Sequence, residues 1–192
     1  MDLLKQQKEL QKEGNRLLKR TGLIEFLSQF GTVRINGSLA SGLMVWPDID
    51  LEVVSETISE DNFWKAVKFL FSVEKHNTFI QDFRESTNPN TPKGLYIGKK
   101  INEGKNIWKI DIWFITPRQD GELNYNDWIK DKLTEENKKI ILEIKNQIYD
   151  DPKYRKEIFS IDIYKAVIEN GVKNLEEFKI YLQNQGRSLS KR

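Results

Sequence analysis

Apolar residues recur every seven positions near the amino terminus, at Leu3, Leu10, Leu17 and Ile24, with Leu4 and Leu18 beside two of them. That spacing predicts helix over residues 2–30, weakened by Gly14 and Gly22. From Thr32 the period falls to two: Val33 and Ile35 alternate with Arg34 and Asn36 through Ser38, a strand entering a glycine turn. A second strand follows at Asp48–Val54. Ser59 then serves as an N-cap, Glu60 and Asp61 place acids in a first turn, and Phe63, Val67, Leu70 and Phe71 form one apolar face to about residue 73. Such a helix is expected to cover a sheet. Thr78–Glu85 reads as a strand, 87–93 as a Pro/Asn loop, and Leu95–Ile101 with Ile107–Ile115 as a hairpin joined around Glu103-Gly104.

The period becomes helical again from residue 125. Ile140, Ile141, Ile144 and Ile148 share a stripe that Asp150-Asp151-Pro152 breaks. Ser160 opens a helix ending at Gly171, and Asn174 with Glu177 three positions on caps a last one; the polar tail GRSLSKR is expected to fray. Helix, two strands, helix, three strands and three helices make an α+β fold: a mixed sheet with helices packed on one face, plus C-terminal helices. The expected division is 1–120 for a sheet domain with its N-terminal helix and 121–192 for a helical region.

Composition narrows the chemistry. The 192 residues are 38% hydrophobic and 31% charged, the profile of a chain that folds. Lys and Arg total 31 against 29 for Asp and Glu, so the net charge of +2 gives no general affinity for nucleic acid or an anionic membrane. With no cysteine, disulfides, thiolate metal sites and cysteine nucleophiles are excluded, and the single His76 excludes any site that needs two histidines. No apolar run approaches the roughly 18 residues that cross a bilayer, and MDLLKQQKEL lacks the shape of a secretory signal, so a cytoplasmic location is expected.

Carboxylates stand where strands are usually apolar. In PDIDLEVV, Asp48, Asp50 and Glu52 fall on one face and Ile49, Leu51 and Val53 on the other. A half-solvated antiparallel strand is the commonest origin of such alternation. Aspartate is a poor strand former, however, and residues two apart on a strand are close enough to share a hard cation through oxygen. A third acid, Asp111, interrupts the apolar strand IWKIDIWFI, sharing its face with Lys109 and Trp113. If that strand pairs beside Asp48–Val54, the three carboxylates converge on one side of the sheet, and their repulsion calls for divalent cations. Upstream, Gly37-Ser38 ends the first strand in a turn whose backbone N–H groups and hydroxyl suit a phosphate.

With its strand, Gly-Ser, intervening residues, Asp-hydrophobic-Asp-hydrophobic and later acid, the segment NGSLASGLMVWPDIDLEV resembles the signature of the DNA-polymerase-beta-type nucleotidyltransferase superfamily. Gly37, Ser38, Asp48, Ile49, Asp50, Leu51 and Asp111 match, and Ala40 and Gly42 resemble the small-domain branch of bacterial minimal and antibiotic nucleotidyltransferases. That branch often has a basic residue where Ser41 stands, which would remove a phosphate contact, and a serine where Pro47 stands, which alters the turn. The resemblance covers roughly residues 30–115. It implies a nucleotidyltransferase-like sheet and transfer of a nucleoside monophosphate from a nucleoside triphosphate, ATP by family habit, to a hydroxyl acceptor. It also implies two magnesium ions on Asp48, Asp50 and Asp111, with Asp111 able to receive the hydroxyl proton, and a triphosphate gripped at Gly37 and Ser38. Glu52, beyond the pair, is expected to be a solvated strand residue.

Other residues are assigned little. His76 follows a helix and is expected to be solvated, and GLYIGKK lacks the spacing of a P-loop. Lys99, Lys100, Lys105 and Lys109 read as a solvated basic edge, and Trp46 is a better candidate for base stacking than Trp108 or Trp113. Arg34 shares parity with Ser38 and is a candidate to face the nucleotide. An antibiotic, a protein side chain or an RNA 3′ end would each suit the catalytic half. The small net charge favours a small molecule over RNA, with the C-terminal helices as its wall. The alternative is an inactive domain of the same fold serving as an interaction module, such as a toxin or antitoxin partner.

Overall fold

Gly22 splits the first predicted helix in two: α1 spans Leu3–Thr21 and α2 Leu23–Leu27, because Gly22 adopts φ +64° in the left-handed region where helix cannot continue. The computed structural model describes residues 2–75, 77–88, 91–117 and 126–190; His76 and the expected boundary at 120 lie outside the described residues. Two compact units emerge, one of Glu9–Asn126 and one of Met1–Lys8 with Asp127–Arg192.

The first unit is built on five strands: β1 (Thr32–Asn36), β2 (Asp48–Val54), β3 (Thr78–Asp82), β4 (Leu95–Glu103) and β5 (Asn106–Ile115). They lie in the order β1-β2-β5-β4-β3. Only β2 and β5 pair in parallel; β1 with β2, β5 with β4 and β4 with β3 are antiparallel. β1 stops at Asn36 because Gly37, at φ +63°, starts the expected turn, which is helical: α3 (Gly37–Ser41). Ser59 accepts a hydrogen bond from the Asn62 N–H and starts α4 (Glu60–Val73).

One sheet face is apolar. Ile49, Leu51 and Val53 of β2, Ile110, Ile112 and Phe114 of β5 and Leu95, Ile97 and Ile101 of β4 are buried with Leu10, Leu17 and Leu27 of the N-terminal helices and Phe63, Val67 and Leu70 of α4. Gly14 has a packing role within α1: a Cβ there would lie 2.9 Å from the Trp108 ring, whose Nε1 donates to Glu13 Oε1 at 2.8 Å. Trp108 is thus core rather than a stacking surface. Lys99 is likewise not a solvated edge; it is fully buried on the core face, where Nζ donates to Thr78 Oγ1 at 2.8 Å and to the Glu74 carbonyl.

In the helical unit, α5 begins at the boundary (Asn126–Lys132) and Thr134 starts α6 (Glu135–Ile148) by accepting from the Asn137 N–H. α6 packs with α7 (Ser160–Asn170) and α8 (Leu175–Asn184) around Ile141, Ile144, Ile163, Phe178 and Leu182. The described part of the tail does not fray: Arg187 forks onto Asp162, and Ser190 donates through its N–H and hydroxyl to Asp151 at 3.0 and 3.1 Å. No helix among the described residues is long and apolar enough to cross a membrane.

Because the Trp108 ring fills the space over Gly14, Gly14→Leu is expected to lower unfolding stability by about 1–3 kcal/mol in urea titrations despite leucine's better helix propensity.

Candidate active site

The second sheet face carries the acids. In the parallel β2–β5 ladder Asp50 is the register partner of Asp111, and Asp48, two residues earlier, is the partner of Lys109. Partners across a ladder point to the same side, on strands about 4.8 Å apart, so Asp48, Asp50 and Asp111 share one face. On its other side Asp50 pairs with Asn36, the residue before the Gly37–Ser41 turn. A methyl at Gly37 would collide with Asp50 Oδ2. Positive φ and close approach therefore both require glycine at this position, and the turn lies directly against the acidic pair. Ser38 is buried at 8% exposure, and Ser41, in the position of the expected basic residue, caps the Gly37 carbonyl at 2.9 Å.

Asp48 and Asp111 are held by donors of the protein. Trp46 Nε1 donates to Asp48 Oδ2 at 3.3 Å. Tyr96 donates its hydroxyl to Asp111 Oδ1 at 2.6 Å, and the Lys109 ammonium forms an ion pair with Asp111 Oδ2. Tyr96 reaches across because Gly98, the β4 partner of Asp111, leaves room: a Cβ there would lie 2.6 Å from the Tyr96 oxygen. Burial, then the hydrogen bond to Asp111 and the charges of Asp111, Asp48 and Asp50, push the Tyr96 pKa well above its ordinary value, so it remains a donor. For Lys109, burial alone would lower the pKa, but Asp48, Asp111 and Asp50 together outweigh it and raise it.

Two residues depart from expectation. Lys109, though its side chain is half-exposed, stands on an inner strand as the ion-pair partner of Asp111 rather than on an edge, and Glu52 is buried at 8% exposure rather than solvated. Glu52 accepts from Asn36, whose own Oδ1 accepts from Asn126 Nδ2, while Glu52 Oε2 has no hydrogen-bond partner among the described residues. Arg34 faces Glu52 as its register partner.

Tyr96 is the residue that sequence reasoning missed. Counting back along both strands from the Glu103–Asn106 end of the hairpin sets Gly98 opposite Asp111 and Tyr96 opposite Trp113, which was available from strand parity alone. Trp113 packs on Tyr96 at 4.9 Å between ring centres and on Phe83 at 5.2 Å, as part of an aromatic cluster beside Asp111.

No protein-family model and no curated protein matches the sequence. Solved structures do match. The RNA terminal uridylyl transferase Cid1 aligns over 83% of this chain and 46% of its own, with TM-score 0.61 and 18% identity. The chain shares the nucleotidyltransferase-like fold of that enzyme. A cytoplasmic RNA terminal U-transferase aligns over 87% of this chain and 51% of its own (TM-score 0.57, 16% identity). The STING-associated CdnE c-di-GMP synthase from Capnocytophaga granulosa aligns over 92% and 64% (TM-score 0.55, 18% identity). The chain thus spans about half to two thirds of the length of these nucleotidyltransferases.

A hard divalent cation suits the three aspartates of this face, whose donors are all carboxylate oxygen. As the side chains stand, no three acidic or histidine residues among those described are gathered closely enough to hold a metal ion; Asp48 accepts from Trp46, and Asp111 from Tyr96 and Lys109. The backbone register sets Asp50 beside Asp111, with Asp48 two residues earlier on the same face.

Burial pushes the Glu52 pKa up more strongly than the Asn36 hydrogen bond and the Arg34 charge pull it down. A carboxyl with a raised folded pKa contributes stability below its unfolded pKa that is lost as pH rises through the folded one. Glu52→Gln is therefore expected to melt higher relative to the wild type at about pH 7 than at about pH 4. Thermal melts of both proteins across that range check this, and a difference independent of pH would contradict it.

Proposed function

We propose that the chain is a nucleotidyltransferase that moves a nucleoside monophosphate from a nucleoside triphosphate, ATP in the first instance, to a hydroxyl on a small-molecule acceptor, releasing pyrophosphate. The observation that carries the reading is the register of Asp50 with Asp111 beside the turn at Gly37. An acidic pair next to a helical turn with buried Ser38 is an arrangement for holding a polyphosphate and activating a hydroxyl against it. The nucleotidyltransferases that share the fold support the general reaction: two are RNA terminal uridylyltransferases and one makes c-di-GMP.

In this reading Asp48, Asp50 and Asp111 would hold two magnesium ions. Bound there, the ions would neutralise triphosphate charge and lower the pKa of the acceptor hydroxyl. The chain's own groups do the rest. Backbone N–H groups of the Gly37–Ser41 turn and the Ser38 hydroxyl fix the β- and γ-phosphates, so the α-phosphorus faces the attacking oxygen in line. Asp111 receives the hydroxyl proton as the new phosphodiester bond forms and the bond to pyrophosphate breaks. Tyr96, donating to Asp111 Oδ1, fixes the orientation of that carboxylate. Trp46, through its indole N–H, does the same for Asp48.

Pyrophosphate release from labelled nucleoside triphosphates with magnesium and a panel of hydroxyl acceptors is the test. Asp50→Asn and Asp111→Asn are expected to lower the rate by a factor on the order of 1,000, and Glu52→Gln by less than about tenfold. Wild-type rates in either aspartate variant would overturn the assignment.

A further inference from the structure

Asp111 commits both carboxylate oxygens to the protein, but to partners of different freedom. The Tyr96 hydroxyl on Oδ1 belongs to a ring packed among Phe79, Phe83 and Trp113, at 6.1, 6.1 and 4.9 Å between ring centres. The Lys109 ammonium on Oδ2 ends a flexible four-carbon stem, and its side chain is 49% exposed. Of the two oxygens, Oδ2 is therefore the one that can exchange its partner.

The register explains why the ammonium stands there. Lys109 has Asp48 as its partner on β2 and Lys100 as its partner on β4. Like charges opposed across a ladder repel, so Lys100 drives the ammonium toward the acidic side, where Asp48, Asp50 and Asp111 all act on it. A cation is already built into the carboxylate face. It is attached to the oxygen that any second cation at Asp111 would need, and two cations in contact with one oxygen repel strongly.

Building on the nucleotidyl-transfer reading above, we propose that Lys109 is the resident counter-ion of the third carboxylate and that a divalent cation reaches Asp111 Oδ2 only by displacing it. Lys109 then sets the cation affinity of the site. It keeps the acids paired when no divalent ion is bound, and its exposed stem lets the ammonium swing to solvent when one arrives. The exchange breaks one ion pair and forms one metal–carboxylate contact; no covalent bond changes.

The test is titration of the full chain with Mn²⁺ alone, free ion being read by electron paramagnetic resonance, for wild type, Lys109→Met and Asp111→Asn. Lys109→Met is expected to bind Mn²⁺ on the order of tenfold more tightly than wild type, and Asp111→Asn more weakly. Wild-type binding with equal or weaker binding by Lys109→Met overturns the displacement and leaves nucleotidyl transfer standing. Absence of Mn²⁺ binding in all three proteins, with or without a nucleoside triphosphate, overturns both. A second measurement needs no methionine variant. In [¹⁵N]lysine-labelled wild type, the Lys109 ammonium resonance, assigned by its loss in Lys109→Arg, is expected to move on addition of Mg²⁺. A resonance that stays in place as Mg²⁺ saturates the site overturns the proposal.

Discussion

The parallel hydrogen-bond ladder between β2 and β5 is the constraint on which the site depends. Side chains alternate along a strand, so a slip of one residue would turn Asp111 into the core and an isoleucine onto the acidic face. Burial on the opposite face prevents it. Ile49, Leu51, Val53, Ile110, Ile112 and Phe114 are each at most 2% exposed, and exposing such side chains costs about 1.5–3 kcal/mol apiece. Against that total, on the order of 10 kcal/mol, the repulsion of two carboxylates near the surface is about 4 kcal/mol at 4 Å. The hydrophobic side therefore decides the register, and the acids are held together against their own repulsion.

That repulsion is met by specific neighbours rather than by water alone. Trp46, Tyr96 and Lys109 each reach an acid, and the Gly37 backbone closes on Asp50 without a side chain between them. Behind Asp50, Asn126, Asn36 and Glu52 form a partly buried polar chain ending in a carboxylate oxygen with no hydrogen-bond partner among the described residues. A conflict of this kind, a costly polar group kept beside a cluster of acids, is more characteristic of a working site than of a face shaped only for stability. The sheet is divided accordingly: one face is apolar and buried, and the other carries the acids.

Much of this was legible in the sequence. Period-two alternation located β2 and β5, and a Ser-Glu-Asp start located α4, because each signal is local. The parity of Asp48, Asp50 and Asp111 could be read along single strands; that β2 and β5 are neighbours could not, since β3 and β4 intervene in sequence and the contact is nonlocal. The missed features are nonlocal too. Lys99 and Glu52 look like surface residues by type, and only the packing of α4's end and the β1–β2 pairing buries them. Gly14 looks like a helix defect until the Trp108 ring occupies its place, and the polar tail looks free until Asp151 and Asp162 are brought near it. Lys109 was read as an edge charge because nothing in a single strand shows which of its two neighbours, an acid or a lysine, attracts its tip.

The most direct test of the central claim is anomalous diffraction from crystals of the full chain grown with Mn²⁺ and a non-hydrolysable nucleoside triphosphate. The account predicts an anomalous peak bounded by Asp50 and Asp111, with the triphosphate lying against the turn at Gly37 and Ser38. A nucleotide bound elsewhere, or a manganese peak away from those two carboxylates, would contradict it.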